Sequence, residues 1–148
     1  RLKIYMNLLE IEKIRKEGKR IGFTCSTFDL LHAGHTSMLA ESKSKCDYLI
    51  VGLLCDPTYD RKEKQRPIQS MFERWVQLSS ISYVDMIIPF SSEQDIIDMV
   101  LVIKPDIRIV GEEYKDIEHT GKGLCPIFYN SRKHSFSSTE LRERVKND

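Results

Sequence analysis

Two histidines that flank an alanine and a glycine, His32-Ala33-Gly34-His35, form the pattern with the clearest chemistry in this 148-residue chain. The apolar run 21–25 precedes the pattern, and a helical pattern follows it. Gly34 leaves space for a phosphate group, and the two imidazoles can donate hydrogen bonds to adjacent phosphate oxygens. We therefore interpret the pattern as a turn that holds a triphosphate. A metal site is the main alternative, but it needs a third ligand that the sequence does not place.

The residues between the apolar run and the histidines also suit an anion. The small side chains at 24–27 let backbone N–H groups approach it, and the N-terminus of the following helix adds a positive dipole. Asp29 has two interpretations: it orients the turn by accepting backbone N–H groups, or it assists a Mg²⁺ ion. The nucleotide-binding residues predicted in this segment are Thr24, Cys25, Ser26, Thr27 and Phe28.

Basic and hydroxyl side chains farther along the chain are candidates for the same ligand. Lys62 and Lys64 lie in a polar loop, where an isolated charge run is usually only a solvated surface. Ser137 can cap a final helix, and Glu140 at its third position completes a capping box. A helix cap and a bound phosphate use the same N–H donors, so these two interpretations of Ser137 are compatible.

Strands and helices are predicted to alternate along nearly the whole chain. This alternation is typical of a parallel sheet covered by helices on both faces. We predict a Rossmann-like α/β fold of about five strands, at 21–25, 48–55, 84–89, 107–110 and 125–129. Ligands of such folds bind beyond the carboxyl ends of the strands, where the strand order reverses. The histidine turn, the lysine loop, the segment after Gly111 and the Ser137 cap should therefore meet at one edge.

Composition argues against several classes of partner. With 23 basic and 22 acidic residues, the net charge is +1, so nothing global indicates nucleic acid or an anionic membrane surface. No apolar stretch approaches the roughly 18 residues of a membrane span. The 4 cysteines are scattered singly, and we predict buried free thiols in a cytoplasmic protein. The alternative interpretation of these cysteines is a zinc or redox protein.

The length fits one domain over residues 1–148, with residues 1–19 as a leading helical segment. The chain starts at Arg1, so foreign residues or an upstream truncation are compatible with the sequence. Met6 is a candidate natural start.

The run S-T-F-D-L-L-H-A-G-H closely resembles the signature of the cytidylyltransferase-like nucleotidyltransferases. Within that family, the chain is most similar to glycerol-3-phosphate cytidylyltransferase and to the adenylyltransferase domain that activates heptose 1-phosphate. The resemblance extends over residues 14–145. It implies that a phosphate oxygen of an acceptor attacks the α-phosphorus of a nucleoside triphosphate, with Mg²⁺ on the β- and γ-phosphates. It also implies a homodimer that forms around Tyr83-Val84-Asp85.

The resemblance further implies roles for individual side chains in catalysis. His32 and His35 would bind the triphosphate, with His35 nearest the α-phosphate. Lys64 would bridge the attacking phosphate, and Arg132 would bind the leaving pyrophosphate. These four residues are the predicted catalytic set.

Other matched residues are expected to bind the nucleotide. Lys62 would contact the triphosphate. Gly111 and Glu113 belong to a stretch that resembles P-D-x-x-x-x-G-D-D-[WY], where Glu113 would contact the base. The final helix start, Ser137-Ser138-Thr139, would hold the distal phosphates.

Two substrate pairs are compatible with these motifs. A carboxylate can accept from the amino group of cytosine, so Glu112-Glu113 favours CTP, with an acceptor similar to glycerol 3-phosphate. The H-A-G-H turn and the R-P-I-Q stretch favour the alternative, ATP with a sugar phosphate such as heptose 1-phosphate. We expect a cytidylyltransferase. Ser26 replaces the glycine that usually precedes T-F-D, and it motivates a third hypothesis, a non-catalytic nucleotide-binding module.

Overall fold

The computed structural model describes residues 7–148, so Met6 lies outside the described part. Five parallel strands form one sheet in the order β3-β2-β1-β4-β5. The predicted α/β fold is therefore confirmed. The strands are β1 (Ile21–Ser26), β2 (Tyr48–Leu54), β3 (Met86–Phe90), β4 (Ile107–Gly111) and β5 (Ile127–Asn130). The helices are α1 (Leu8–Lys16), α2 (Ala33–Ser44), α3 (Met71–Ser79), α4 (Glu93–Ile103) and α5 (Ser138–Lys146), with a 3₁₀ turn at Glu112–Tyr114.

Helices cover both faces of the sheet, because its strands are apolar on both sides. On one face, α1 and α4 pack their buried residues, among them Ile14 and Ile103, against Phe23 and Ile50. On the other face, α2 and α3 contribute Leu39 and Leu78 to a second apolar cluster. The central strands are therefore buried, and polar side chains are left to the strand ends.

The reversal of strand order locates the expected binding edge. From β1 the chain proceeds outward to β2 and β3, and it then returns to place β4 on the other side of β1. β1 and β4 pair at Gly22↔Ile107 and Phe23↔Arg108. Beyond that pairing, the carboxyl ends of the two strands lead to the histidine turn and to the 3₁₀ turn. This junction is the position where ligands of open parallel sheets bind.

Some predicted details differ from the structure. α2 begins at Ala33, so the histidine pattern is the cap and first turn of a helix rather than a separate turn before it. Helical periodicity predicts a buried stripe of Ile96, Ile97, Val100 and Leu101 on α4. The buried residues are instead Ile96, Met99, Val100 and Ile103, and Leu101 is exposed. Periodicity allows either stripe, and only the angle at which α4 lies on the sheet selects one of them.

The structure tests the predictions on membrane spans, cysteines and the dimer contact only in part. None of the helices in residues 7–148 is long and apolar enough to cross a membrane. The four cysteines are free thiols, but each is only half-buried rather than fully buried. Of the residues expected at a dimer contact, Tyr83 is exposed and Val84 is buried. The homodimer and the single domain over 1–148 remain predictions.

Candidate active site

A cavity of about 960 Å³ lies at the carboxyl ends of β1 and β4. Its size suffices for a nucleotide together with a second small ligand. Most of the predicted site residues line this cavity. They are Thr24, Cys25, Ser26, Thr27, Phe28, Asp29, His32, His35, Lys64, Gly111, Glu113, Arg132, Ser137, Ser138 and Thr139. Lys62 is exposed in its loop and is not part of the lining.

The two motif histidines form a stacked pair at the start of α2. Their ring centroids are 3.8 Å apart, with 24° between the ring planes. His32 is the N-cap, and its Nδ1 accepts the Gly34 N–H at 3.0 Å. His35 Nδ1 accepts the His32 N–H at 3.3 Å. Each Nδ1 is thus used as an acceptor, which places the proton of each neutral ring on Nε2 and leaves that N–H to donate to a ligand.

Both imidazoles are neutral at pH 7. Burial lowers the pKa of His32, and the neighbouring positive groups of His134 and Arg132 lower it further. Burial, followed by the effects of His32 and Arg132, lowers the pKa of His35 to about 3. The pair therefore offers two fixed N–H donors rather than two positive charges. Donors of this kind stabilise an anion without changing their protonation state.

Gly34 is required by the histidines themselves. A Cβ at this position would lie 2.8 Å from Cε1 of His32 and 3.1 Å from Cε1 of His134. His134 thus stands over the start of α2 as a third imidazole, and its ring stacks on Phe136. Sequence reasoning missed this residue, because about a hundred positions separate it from the motif and only the docking of the C-terminal segment brings it there.

The segment between β1 and α2 is held in an unusual backbone conformation. Phe28 and Leu30 have positive φ angles of 52° and 49°, a region that costs a non-glycine residue about 1–3 kcal/mol. Burial of the Phe28 ring, which is 1% exposed, stabilises the turn. The Leu30 N–H donates to Gln69 Oε1 at 2.8 Å.

Asp29 ties this turn to two other segments. Its carboxylate accepts the N–H groups of Ile68 and Gln69 at 2.8 and 2.9 Å, and Nη2 of Arg142 at 2.8 Å. Burial alone would raise the pKa of Asp29, but these hydrogen bonds hold it below its ordinary value. Both oxygens are occupied, which matches the first of the two interpretations, orientation of the turn by backbone N–H groups.

The C-terminal helix docks on the same turn. Ser138 Oγ donates to the Asp29 carbonyl at 3.0 Å, and Arg142 supplies the ion pair described above. Ser137 Oγ accepts the Glu140 N–H at 3.0 Å, so the predicted N-cap of α5 is confirmed. The capping box is not complete, because within the described residues the Glu140 carboxylate does not accept the Ser137 N–H in return. The start of α5 therefore faces the cavity beside the histidines.

Arg74 is a positioning residue that the motif analysis did not interpret. Its side chain is 2% exposed and donates only to backbone carbonyls. The Nη atoms bond the carbonyls of Thr27, Leu54 and Cys55 at 2.6 to 2.9 Å, and Nε bonds the Gln69 carbonyl at 3.2 Å. This one guanidinium thus joins the ends of β1 and β2 to the segment before α3.

Ser26 fits the strand without strain. It is the last residue of β1 and does not have a positive φ angle, so this position makes no demand for glycine. Thr24, two residues earlier, donates from Oγ1 to the Ile109 carbonyl at 3.1 Å and joins β1 to β4. The departure that motivated a non-catalytic module therefore leaves the local backbone regular.

The loop that contains Lys62 and Lys64 contributes a different set of side chains to the cavity from the predicted set. Lys64 lines the cavity and is exposed, as a ligand-binding lysine would be. Arg61, which the sequence analysis did not select, also lines the cavity and forms an ion pair with Glu93 at 3.6 Å. The contribution of Lys62 to triphosphate binding remains a prediction.

The acidic pair after β4 contacts Arg132. Glu112 Oε1 accepts the Arg132 N–H at 2.9 Å, and Glu113 Oε1 lies 3.3 Å from Nη1 of Arg132. A Cβ at Gly111 would collide with the Glu113 carboxylate, so the glycine makes room for it. In this arrangement, Glu113 positions an arginine, a function that does not require a cytosine base.

The opposite end of the cavity is built by β4, α4 and the loop that follows the 3₁₀ turn. His119 and Thr120 of this loop line the cavity. Thr120 Oγ1 donates to Glu93, and its carbonyl accepts Nη1 of Arg108 at 2.6 Å. Arg108 is only 5% exposed and was not selected from the sequence, because its neighbours on β4 are apolar.

The metal alternative receives no support within residues 7–148. No group of three or more histidine, cysteine, aspartate or glutamate side chains there is arranged to hold a metal ion. Burial raises the pKa of the Cys25 thiol, so this cavity-lining cysteine is protonated at pH 7 and is a poor ligand.

Comparison with known proteins identifies the family. The model of the family described as cytidylyltransferase-like matches residues 23–144. The chain belongs to the cytidylyltransferase-like family. The matched range includes β2 to β5 and most of β1 and α5, so the predicted family resemblance is confirmed over nearly the whole described chain.

The relatives of this chain include bacterial proteins named "Bifunctional protein HldE". The one from Rhodospirillum rubrum is 38% identical over 143 residues, which is 91% of this chain and 28% of the relative. The one from Paramagnetospirillum magneticum is 40% identical over 105 residues, which is 70% of this chain and 21% of the relative. The chain thus spans less than a third of the length of these relatives.

Solved structures agree on the fold. A lipopolysaccharide core biosynthesis protein from Thermoplasma volcanium has a TM-score of 0.57 and 27% identity, with 88% of each chain covered. A pantoate-beta-alanine ligase from Francisella tularensis has a TM-score of 0.65 at 18% identity and covers 97% of this chain and 76% of its own. The second similarity concerns the fold alone.

Proposed function

We propose that this chain transfers the AMP group of ATP to the phosphate of a small sugar phosphate, with release of pyrophosphate. The observation that carries the proposal is the stacked pair His32 and His35, whose Nδ1 atoms are both occupied and whose rings line the cavity. Lys64 and Arg132 line the same cavity and supply positive charge. Two anionic substrates brought together at one phosphorus need this combination of donors and cations.

The proposal revises the expected nucleotide from CTP to ATP. CTP was favoured because a carboxylate at Glu113 can accept from cytosine, but this carboxylate is paired with Arg132. The relatives named HldE support the heptose-type adenylyltransferase over the cytidylyltransferase. The similarity to the Thermoplasma volcanium structure, a lipopolysaccharide core biosynthesis protein, also favours a sugar phosphate as the acceptor.

The chemistry needs no catalytic base. A phosphate monoester has a second pKa of about 6, so the attacking oxygen is already ionised at neutral pH. This oxygen forms a new bond to the α-phosphorus, and the bond from the α-phosphorus to the bridging β-oxygen breaks. The electron pair leaves with pyrophosphate. His35 would donate from Nε2 to the α-phosphate as its charge grows, while Lys64 holds the acceptor phosphate and Arg132 the leaving group.

The proposal includes a Mg²⁺ ion that would enter the site bound to the nucleotide. Asp29, the carboxylate considered for it, already accepts two N–H groups and an arginine, so this residue does not suit a metal ion. The oxygens of the triphosphate would hold the ion and share its charge. The residues of this chain would bind the remaining phosphate oxygens.

The direct test measures pyrophosphate release with ATP and with CTP against a panel of sugar 1-phosphates and phosphorylated alcohols. We expect release with ATP and a sugar phosphate, and a product that carries AMP by mass spectrometry. Faster turnover with CTP and glycerol 3-phosphate would reinstate the first expectation. Tight nucleotide binding without release from any acceptor would instead favour the non-catalytic module.

A further inference from the structure

Arg108 is a buried positive charge that forms no ion pair with a carboxylate among residues 7–148. The Arg108 side chain is only 5% exposed, and it lines the cavity. One edge of the guanidinium is used, since Nη1 donates to the Thr120 carbonyl at 2.6 Å. Its Nε is buried without a hydrogen-bond partner. No carboxylate among residues 7–148 forms an ion pair with it.

Glu93, which shares Thr120 with Arg108, is already paired with other groups. It forms an ion pair with Arg61 through Oε1 and accepts the Thr120 hydroxyl through Oε2. Neither oxygen of Glu93 therefore pairs with Arg108 in this arrangement. A buried cation without a counterion is costly, and an anion that binds there recovers the cost.

We propose that Arg108 binds a carboxylate of the acceptor, so the preferred acceptor is a sugar phosphate that also carries an acid group. The proposal rests on the proposed function and names the substrate class of the same site. The acceptor would span the cavity, with its phosphate at Lys64 and its carboxylate at Arg108.

The charge at this end of the cavity favours a carboxylate over a second phosphate. Arg108 Nη1 donates to the Thr120 carbonyl, the side chain also hydrogen-bonds the Cys25 thiol, and Nε has no hydrogen-bond partner among the described residues. A carboxylate would bring one negative charge to this guanidinium. A phosphate dianion would bring a second negative charge beside Glu93.

Three sugars provide a matched test, because they share the 1-phosphate and differ only at C6. Glucose 1-phosphate has a hydroxymethyl group there, glucuronic acid 1-phosphate a carboxylate, and glucose 1,6-bisphosphate a second phosphate. We expect kcat/KM with ATP to be about 10- to 100-fold higher for the uronic acid than for glucose 1-phosphate, the effect of a charge-assisted hydrogen bond. Equal rates, or preference for the bisphosphate, would overturn the proposal.

Substitution of Arg108 assigns the preference to this residue. In Arg108→Leu the ratio between the uronic acid and glucose 1-phosphate should fall to near one, and Arg108→Lys should restore part of it. Arg144→Leu removes one exposed arginine charge from α5 and serves as the control, with the ratio unchanged. If Arg108 only held the Thr120 loop, its loss would slow both acceptors equally and leave the ratio intact, which would refute the inference.

Binding measurements separate this inference from the proposed function. Calorimetry of each sugar phosphate in the presence of a non-hydrolysable ATP analogue needs no turnover. Absence of pyrophosphate release together with Arg108-dependent binding of the uronic acid would overturn the reaction but keep the carboxylate site. Release of pyrophosphate with no Arg108-dependent preference would keep the reaction and overturn the carboxylate site. Failure of all three sugars to bind would also overturn it.

Discussion

The two ends of the cavity are built in different ways. At the end formed by the start of α2, called here the triphosphate end, His32 and His35 are three positions apart and are neutral N–H donors, oriented by hydrogen bonds within one helical turn. At the other end, Arg108, Glu93 and Thr120 come from a strand, a helix and a loop, and they are linked by charged contacts. Under the two proposals above, the first end stabilises the shared reaction, whereas the second end selects the acceptor.

The largest effect is expected at the triphosphate end. His35→Ala should lower turnover by about 10²- to 10³-fold, the usual cost of losing one positioned donor to the reacting group. His35→Asn keeps an uncharged N–H donor and should lose less. Initial rates of pyrophosphate release measure both variants.

The same variant also tests whether the two ends of the cavity have separate functions. The loss in His35→Ala should be the same for each acceptor, because this residue is proposed to contact only the nucleotide. A change in acceptor preference would show that His35 also affects acceptor binding. Near-normal turnover would show that His35 does not stabilise the reacting phosphate.

The next effect concerns stability of the turn that supports the triphosphate end. Asp29→Asn weakens two hydrogen bonds and removes an ion pair, and it should lower the free energy of unfolding by about 1–3 kcal/mol. Asp98→Asn, an exposed change on α4, is the matched control and should have little effect. Urea denaturation of both variants measures the difference.

The same carboxylate should give the protein an acid-dependent stability. The folded-state pKa of Asp29 lies below its unfolded value of about 3.9, so the ionised group stabilises the fold in full above roughly pH 5. This contribution is lost as the pH falls through the folded-state pKa. In Asp29→Asn, the dependence of unfolding free energy on pH below 5 should be weaker than in the unchanged protein; identical slopes would contradict the assignment.

A smaller effect is expected from pH on turnover. The rate should rise through about pH 6 as the acceptor phosphate ionises, and then stay level to pH 8. His35 is already neutral over this range, because its pKa is lowered to about 3, and the pKa of His32 is also lowered from its ordinary value. A rate that falls between pH 6 and 8 would indicate that an imidazolium, rather than a neutral donor, takes part. The kcat profile of the unchanged protein decides between them.

The smallest effect is expected at the acidic pair. Glu113→Gln removes a partly exposed ion pair with Arg132, which contributes about 0–1 kcal/mol to stability. The ratio of kcat/KM between ATP and CTP should stay nearly unchanged. A marked shift of this ratio would mean that Glu113 contacts the base after all.

Short-range patterns allowed much of the fold and of the triphosphate end to be predicted. The apolar runs indicated the five strands to within one to two residues at most ends, because a strand buried on both faces must be apolar throughout. The histidine motif was correctly placed at the switch between β1 and β4, since its donors and acceptors lie within one turn of chain.

Residues that act across long sequence distances were missed or misread. His134 stands over Gly34, and Arg74 joins three segments, yet neither lies in a pattern whose spacing predicts such contacts. Glu113 was interpreted as a base contact because the chemistry of a carboxylate permits it. Its proximity to Arg132 depends on the packing of the segment after β5, which the local sequence does not specify.

The sequence by itself determined the alternation of strands and helices, the position of the histidine pair and the class of reaction it suits. Each of these depends on neighbouring residues, whose geometry is restricted by covalent connection. Only the tertiary structure decided that the histidines are neutral and that Arg108 is buried without an ion pair to any carboxylate of residues 7–148. Burial and the positions of distant charges set both properties, and these exist only when the separate elements have packed together.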